Sequence, residues 1–189
     1  MRHERGDRVM KVKGSEPIAI ATTRVGKEGA LAKELENALF LSVRNLVVLP
    51  LERRGIVIVF GERESVDVAS IPRLVKSRGV TRASWIIPVD CCTIARYECV
   101  RKASMHLVLT KLRNLPVKMV CRCRKRGLEI DSCSKLCRFV GSLLEDLGLV
   151  EVDFRRFDYV LRIEIVDAYA YLSLYQREAE REFRITHPS

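Results

Sequence analysis

The chain has 189 residues, 48% of them hydrophobic, and its 34 Lys and Arg against 24 Asp and Glu give a formal net charge of +10. This length allows one large domain or two small ones. No apolar run reaches the ~20 residues that would cross a bilayer, and the charged N-terminus is not followed by the apolar stretch of a secretory signal. We therefore expect a cytoplasmic protein.

The use of Asn, Gln and Cys bears on the source of the protein. Asn occurs three times and Gln once, an avoidance of thermolabile amides that indicates a thermophile. The chain has seven cysteines. Cytosolic thiols are normally reduced, but intracellular proteins of hyperthermophiles do carry disulfides. The cysteine count therefore leaves the redox state open.

The first half of the chain predicts a ferredoxin-like domain. Residues 1–15 are basic and poor in apolar side chains, so we expect a flexible segment there. Over residues 16–90, apolar runs and helical spacings follow in the order β-α-β-β-α-β, the split βαβ pattern. The second helix is expected from about Val66 to Ser77, capped by Ser65.

The second half predicts a different α/β arrangement. Residues 93–112 predict one long helical stretch, or two with a break, which ends before Pro116. The expected elements that follow are a strand at 117–124, a helix from Asp131 or Ser132 to about Leu147, a short strand at 150–153 and a hairpin over 159–174. The strand–helix–strand part should form a parallel crossover.

The strongest charge signal is a run of thirty residues, Cys99 to Leu128, without an acidic side chain. It holds nine of the 34 bases, so the remaining 25 bases nearly balance the 24 acids. A surface patch of one sign is destabilised by self-repulsion unless a partner of opposite sign is present. For a basic protein the commonest such partner is the nucleic-acid backbone.

The strand at 117–124 places this charge in register. Because side chains alternate along a strand, Lys118, Arg122 and Arg124 share one face, with Val120 as the exception among them. Successive positions on that face lie about 7 Å apart, which approximates phosphate spacing. Lys125 and Arg126 extend the patch into the next loop. The alternative is an edge strand kept soluble by its charge, but the missing acids favour RNA contact.

The following helix begins close to these bases. The free N–H groups at a helix start, here at Asp131 and Ser132, can bind a phosphate or simply be capped. Lys135 and Arg138 lie on the first turns of this helix, and Arg155 and Arg156 follow the next strand at the same edge of the sheet. Ligands of open α/β sheets collect at that edge.

Four cysteines and three tyrosines each allow two interpretations. Cys121 and Cys123 on the strand, with Cys133 and Cys137 on the helix, could bind zinc, but their spacing lacks the usual paired knuckles and favours core packing or a disulfide. The residues Tyr169, Tyr171 and Tyr175 could stack on bases, although packing against a neighbouring element is the more common role of such aromatics.

The second half resembles a THUMP domain over residues 91–176. The residues that carry the resemblance are the strand from Pro116 to Arg126, the Ser132-led helix with Phe139-Val140-Gly141, Val152-Asp153-Phe154 and the strand Leu161 to Ile165. A ferredoxin-like domain before the THUMP domain is the usual arrangement in this family, and residues 177–189 would be a tail. The four cysteines, and the absence of the usual Pro after Val152-Asp153, depart from the family pattern.

The resemblance implies tRNA binding, near the acceptor end, and delivery of the tRNA to a modification enzyme. The residues expected to contact RNA are Lys111, Arg113, Lys118, Arg122, Arg124, Lys125, Arg126, Ser132, Lys135, Arg138, Arg155 and Arg156. Stand-alone THUMP proteins include adaptors for RNA cytidine N4-acetyltransferases, so such an enzyme is the first partner expected.

The sequence shows no catalytic motif and no cofactor loop. It has no G-x-G-x-x-G, no phosphate loop of the G-x-x-x-x-G-K-[ST] type and no deaminase zinc signature. We therefore expect a tRNA-binding adaptor that is not an enzyme and needs no cofactor or metal. One alternative is a split subunit of a tRNA methyltransferase or thiolation enzyme, in which Cys133 or Cys137 carries sulfur. The other is a general RNA-binding protein.

Overall fold

The computed structural model describes residues 14–185, which form two compact units, residues 14–89 with 181–185 and residues 90–180. The expected flexible segment at 1–15 lies almost wholly outside the described residues, as does the end of the expected tail at 177–189. Among the described residues, none of the helices combines the length and the apolar character that a bilayer crossing requires.

The first unit contains a four-stranded antiparallel sheet and two main helices. Its elements are β1 (Glu16–Thr22), α1 (Glu28–Leu39), β2 (Val47–Leu51), β3 (Ile56–Gly61), α2 (Ile71–Ser77) and β4 (Trp85–Pro88). The sheet order is β2-β3-β1-β4. Leu31 and Leu35 of α1 and Val75 of α2 join the strands in one apolar core. This order and succession confirm the predicted ferredoxin-like pattern.

The start of α2 differs from the prediction. The expected helix from Val66 is replaced by two 3₁₀ turns, Arg63–Ser65 and Val68–Ser70, before α2 begins at Ile71. Ser65 does not cap a helix, because its hydroxyl accepts the Arg44 N–H and donates to the Glu62 carbonyl. The long-range contact to Arg44 cannot be read from local spacing, which explains the error.

The loop before α1 is closed by an internal acid. The Glu28 side chain is buried, and its carboxylate accepts the N–H groups of Gly26 at 2.8 Å and Gly55 at 2.7 Å. Burial alone would raise the pKa of Glu28, but these backbone hydrogen bonds outweigh it and hold the pKa below its ordinary value. The glycine-rich step at 26–29 therefore satisfies its own N–H groups, as an ordinary helix start does.

The second unit is a five-stranded mixed sheet with two helices on one face. Its elements are β5 (Cys91–Ile94), α3 (Tyr97–Lys111), β6 (Val117–Arg126), α4 (Cys133–Asp146), β7 (Val150–Val152), β8 (Tyr159–Val166) and β9 (Tyr169–Gln176). The sheet order is β5-β9-β8-β6-β7, with β6 parallel to both of its neighbours. The predicted parallel crossover through α4 is thus present. A short helix, α5 (Glu180–Phe183), follows β9.

The prediction of a helix from residue 93 is wrong at its start. Residues Cys91–Ile94 form β5, which pairs antiparallel with β9, and α3 begins only at Tyr97. A four-residue strand leaves too short a pattern for its alternation to be recognised next to a long helix. The apolar face of α3, with Val100, Leu107 and Val108, packs in the same core as Leu136, Val140 and Leu144 of α4.

Candidate nucleic-acid interface

A groove of about 660 Å³ lies between β6 and α4, and we call it the β6–α4 groove. Its lining includes Met119, Cys121 and Cys123 of β6, Cys137 and Arg138 of α4, and Phe154 after β7. The helix can approach the sheet closely because Gly141 faces Val152, where an added Cβ would lie 3.2 Å from a methyl group. The groove is thus bounded by β6, α4 and the loop after β7.

The sheet order leaves one edge of β6 open beside this groove. β7 pairs only with residues 117–119 of β6, whereas β8 pairs with residues 119–126 along the opposite edge. No described strand pairs with residues 120–126 on the β7 side. Backbone N–H and C=O groups of that edge are strong hydrogen-bonding groups in need of partners. The open edge is therefore a surface on which an extended ligand can form hydrogen bonds.

The start of α4 is fixed by a set of polar contacts. The Ser132 hydroxyl accepts the Lys135 N–H at 3.3 Å, which confirms Ser132 as the cap. The Lys125 ammonium donates to the carbonyls of Ile130 and Asp131, and the Asp131 carboxylate accepts from the Tyr97 hydroxyl and the Lys135 ammonium. These hydrogen bonds lower the pKa of Asp131 to about 2, and the bond from the Tyr97 hydroxyl has the largest effect.

The loop after β7 is held by one carboxylate. Asp153 accepts the backbone N–H groups of Arg155 at 2.7 Å and Arg156 at 2.9 Å, and the bonds from Arg156 and Arg155 lower the pKa of Asp153. The resulting turn leaves the Phe154 ring 75% exposed. Both arginine side chains are exposed as well. An aromatic face and two bases therefore stand together at one end of the groove.

The predicted RNA-contact residues divide into two surfaces. Residues 118, 122, 124 and 126 lie on the face of the sheet opposite α4, because Met119, Cys121 and Cys123 face the helix core. The second surface is the groove side of the unit. It contains the remaining predicted residues of β6, α4 and the loop after β7, which are Lys125, Ser132, Lys135, Arg138, Arg155 and Arg156. Lys111 and Arg113 lie at and just beyond the end of α3.

Several of the predicted bases are engaged with acids. Arg122 contacts both carboxylate oxygens of Glu180 at 2.6 Å, and Arg126 forms a largely buried ion pair with Glu164 at 2.8 Å. Lys111 pairs with Asp90 at 2.9 Å, and Lys118 lies 3.7 Å from Glu151. The charge of these four bases is therefore largely balanced within the unit.

Other predicted bases carry exposed charge. Within residues 14–185, Arg113, Arg124, Arg138, Arg155 and Arg156 are exposed and form no salt bridge. Three of them, Arg138, Arg155 and Arg156, belong to the groove side. Glu145, the acid that lines the groove, accepts the Val152 N–H at 2.9 Å. The rim near Phe154 thus combines exposed bases with the carboxylates of Glu145 and Asp153.

A second, shallower groove of about 410 Å³ lies on the other side of α4 and includes Arg101, Lys135, Arg138 and Phe139. Arg101 stacks over the Phe139 ring at 5.0 Å. The sequence interpretation did not select Arg101, although its place in the acid-free run was the available signal. Arg101 also pairs with Glu98 and Lys135 with Asp131, so acids balance part of the charge of this second groove.

The cysteine quartet is paired as two disulfides, Cys121–Cys137 and Cys123–Cys133. The structure thus has the disulfide alternative rather than four zinc ligands. The tyrosines follow the packing alternative, because Tyr169 and Tyr171 are buried. Tyr175 donates to Glu180, and burial raises the pKa of Tyr175 to about 12.

Solved structures share this fold. PH1313 from Pyrococcus horikoshii matches with a TM-score of 0.66 at 17% identity, over 85% of this chain and 54% of its own. TrmN from Thermus thermophilus matches with a TM-score of 0.56 at 19% identity, over 82% of this chain and 44% of its own. A 4-thiouridine synthetase, solved as a complex with RNA and ATP, matches with a TM-score of 0.59 at 17% identity, over 84% of this chain and 41% of its own. The chain thus spans about half or less of the length of these proteins.

Comparison by sequence adds no relative. No protein-family model matches the chain, and no curated protein matches it. The structural matches support a THUMP-like α/β fold, as the sequence resemblance implies. At this level of identity they establish the fold alone.

Proposed function

We propose that the chain binds tRNA at the β6–α4 groove and presents it to a separate tRNA-modification enzyme. The observation that carries the proposal is the open edge of β6 next to exposed bases that form no salt bridge within residues 14–185. Arg138, Arg155 and Arg156 can neutralise phosphates, which supplies most of the affinity in such interfaces. The backbone groups of residues 120–126 can form hydrogen bonds with nucleotides laid along the strand.

The bound part of the tRNA is its single-stranded acceptor end. Nucleotides outside a duplex can turn their bases toward a protein and stack on aromatic side chains. The exposed ring of Phe154 at one end of the groove offers such a platform. The THUMP resemblance independently implies the acceptor end, and one protein of similar fold has been solved in complex with RNA.

A binding experiment with trimmed RNA tests this proposal. Fluorescence anisotropy is measured with intact tRNA, with the same tRNA lacking its single-stranded 3′ nucleotides, and with a blunt RNA duplex. We expect the trimmed tRNA and the duplex to bind at least about tenfold more weakly, since stacking and edge contacts are lost. Equal affinity for all three would favour a general RNA-binding protein.

The adaptor part of the proposal is supported by the state of the cysteines. In the oxidised state Cys133 and Cys137 are each engaged in a disulfide, so neither offers the thiolate that a sulfur carrier needs. The adaptor would raise the fraction of enzyme with bound tRNA without changing the chemical step. The first candidate partner is an RNA cytidine N4-acetyltransferase.

Nucleoside mass spectrometry distinguishes adaptor from enzyme. The purified chain is incubated with tRNA and acetyl-CoA, S-adenosylmethionine, or ATP with a sulfur donor. We expect no new nucleoside from the chain alone, and stimulated acetylation when the acetyltransferase is added. A modified nucleoside formed by the chain alone would overturn the adaptor proposal and support the split-enzyme alternative.

A further inference from the structure

The two disulfides form nested loops around the basic segment of the interface. The outer bond, Cys121–Cys137, spans 16 residues of sequence separation and encloses the inner bond, Cys123–Cys133, which spans 10. The inner bond closes the loop of residues 124–132. That loop contains Arg124, Lys125 and Arg126 and ends at the Ser132 cap of α4.

The two ends of the enclosed segment are also held by other contacts, since residues 124–126 pair with β8 and the Asp131 carboxylate accepts from Tyr97 and Lys135. Ile130 is the buried apolar residue of the segment, whereas Leu128 is 95% exposed. Arg126 is anchored to Glu164, and the Lys125 ammonium bridges to the carbonyls of Ile130 and Asp131. Exposed backbone with little apolar burial opens easily. The bond between Cys123 and Cys133 adds a covalent restraint to these contacts and joins β6 directly to the first residue of α4.

The sulfur atoms lie where both a reductant and RNA would meet them. All four cysteines line the β6–α4 groove, and each is partly exposed. Their side chains project from the faces of β6 and α4 that form the groove walls. A ligand in the groove would cover the disulfides, and loss of a disulfide would loosen the two walls against each other.

We propose that the Cys123–Cys133 disulfide is a redox-sensitive lock on the RNA-binding groove, closed when oxidised and released by a cellular dithiol. This inference rests on the proposed RNA-binding function. A thiolate of the dithiol attacks one sulfur of the pair, which forms a mixed disulfide and releases the other cysteine. The second thiol of the reductant then attacks the mixed disulfide and releases the remaining cysteine. Two electrons and two protons pass to Cys123 and Cys133, which become thiols, while the reductant becomes a disulfide.

Linkage between the two events makes the inference measurable on the unmodified protein. If oxidation favours RNA binding, bound RNA must favour the oxidised state by the same factor. We expect reduction by dithiothreitol to weaken binding of tRNA about fivefold or more. Saturating tRNA should shift the disulfide equilibrium by the same factor, as measured by thiol alkylation and mass spectrometry.

Paired variants separate this lock from general stabilisation. The inner bond is removed in Cys123→Ala/Cys133→Ala, the outer bond in Cys121→Ala/Cys137→Ala, and Cys92→Ser/Cys99→Ser changes two free cysteines as a control. The inner variant should lose about fivefold or more in tRNA affinity, and the outer variant and the control less than about twofold. Circular dichroism establishes that each protein is folded at the temperature of the assay.

The outcomes are distinguishable. Unchanged tRNA affinity in the reduced, folded wild type would overturn the lock, and so would equal losses in the inner and outer variants. If the inner variant does not fold, the test is the shift of the disulfide equilibrium that saturating tRNA causes in the wild type. The absence of that shift would overturn the lock. A protein that binds tRNA in neither redox state would instead contradict the proposed function itself.

Discussion

Each unit has a helix that begins after a loop, α1 in the first unit and α4 in the second. Different groups interact with the backbone N–H groups near these two helix starts. In the first unit the buried carboxylate of Glu28 accepts the backbone N–H groups of Gly26, in the loop before α1, and of Gly55, in the turn between β2 and β3. In the second unit a neutral hydroxyl, Ser132, caps α4, and the carboxylate of Asp131 is engaged by Tyr97 and Lys135. The first helix start is thus closed directly by a carboxylate, whereas the second is capped directly by a neutral hydroxyl.

The same contrast extends to the surface charges. The first unit has exposed bases as well, such as Arg24 and Lys33. The second unit has exposed bases beside the β6–α4 groove. Net charge attracts RNA to any basic surface, but an anchored complex also needs groups that fix the nucleotides. The two units therefore provide internal controls for each other.

The largest expected effect comes from reversing charge at the groove. Changing Arg138, Arg155 and Arg156 to Glu should weaken tRNA binding by about 100-fold or more and lower its dependence on salt, because phosphate contacts are lost and repulsion is added. Anisotropy titrations at several salt concentrations measure both quantities.

The control for this change is a triple variant of the first unit. Arg24, Lys33 and Lys76 are exposed bases without a salt bridge in the described part of the chain. Changing all three to Glu alters the net charge equally, and we expect a loss of less than about tenfold, since only long-range attraction is reduced. Equal losses in the two triple variants would reduce the interface to general electrostatics.

The next effect concerns a turn of the first unit. Gly55 has φ of +64°, and a Cβ there would lie 2.6 Å from the Thr23 carbonyl oxygen. We expect Gly55→Ala to lower the free energy of unfolding by about 3 kcal/mol, because the backbone must shift. In Gly29→Ala, where the added methyl group meets open space within α1, stability should stay the same or rise by up to about 1 kcal/mol. Thermal and urea unfolding measure both, and a tolerated Gly55→Ala would contradict the close approach.

The internal acid of the first unit should make its stability depend on pH. Because the pKa of Glu28 is lowered in the folded protein, its stabilisation is fully present above the ordinary Glu pKa. It is lost as pH falls through the lowered folded value. Glu28→Gln should lower the free energy of unfolding at neutral pH by about 2 kcal/mol, since one acceptor is replaced by a donor.

Urea unfolding between neutral and acidic pH tests the prediction for Glu28. The difference between wild type and Glu28→Gln should shrink as the solution becomes more acidic. Glu36→Gln on the exposed side of α1 serves as the control and should change little. A difference that does not depend on pH would show that the carboxylate is not the stabilising group.

These contrasts also explain what sequence can and cannot predict here. Alternation and helical spacing predict the succession of elements in the first unit, that of the second unit from α3 onward, and the Ser132 cap, because those signals are local. The short strand β5 was missed because its pairing with β9 joins residues about eighty positions apart in the chain. Secondary structure fixed by distant partners has no local pattern strong enough to compete with an adjacent helix.

The site was predictable in location but not in the state of each base. The acid-free run identified β6 and its loop, yet Arg122 pairs with Glu180 and Arg126 with Glu164, partners 58 and 38 residues away. Local sequence cannot show such pairing. The cysteines likewise allowed packing, a disulfide or zinc until α4 and β6 were placed face to face.

The smallest expected effect sharpens the comparison with two exposed aromatic residues. Phe154 stands in the groove of the second unit, whereas Phe40 is exposed on the first unit at 63%. Phe154→Ala should weaken binding of intact tRNA about fivefold to tenfold, because one base loses its stacking partner. It should leave unfolding nearly unchanged, since little apolar surface is buried there. Phe40→Ala should alter neither the affinity nor its dependence on the 3′ end, and an equal effect of both variants would contradict a stacking role for Phe154.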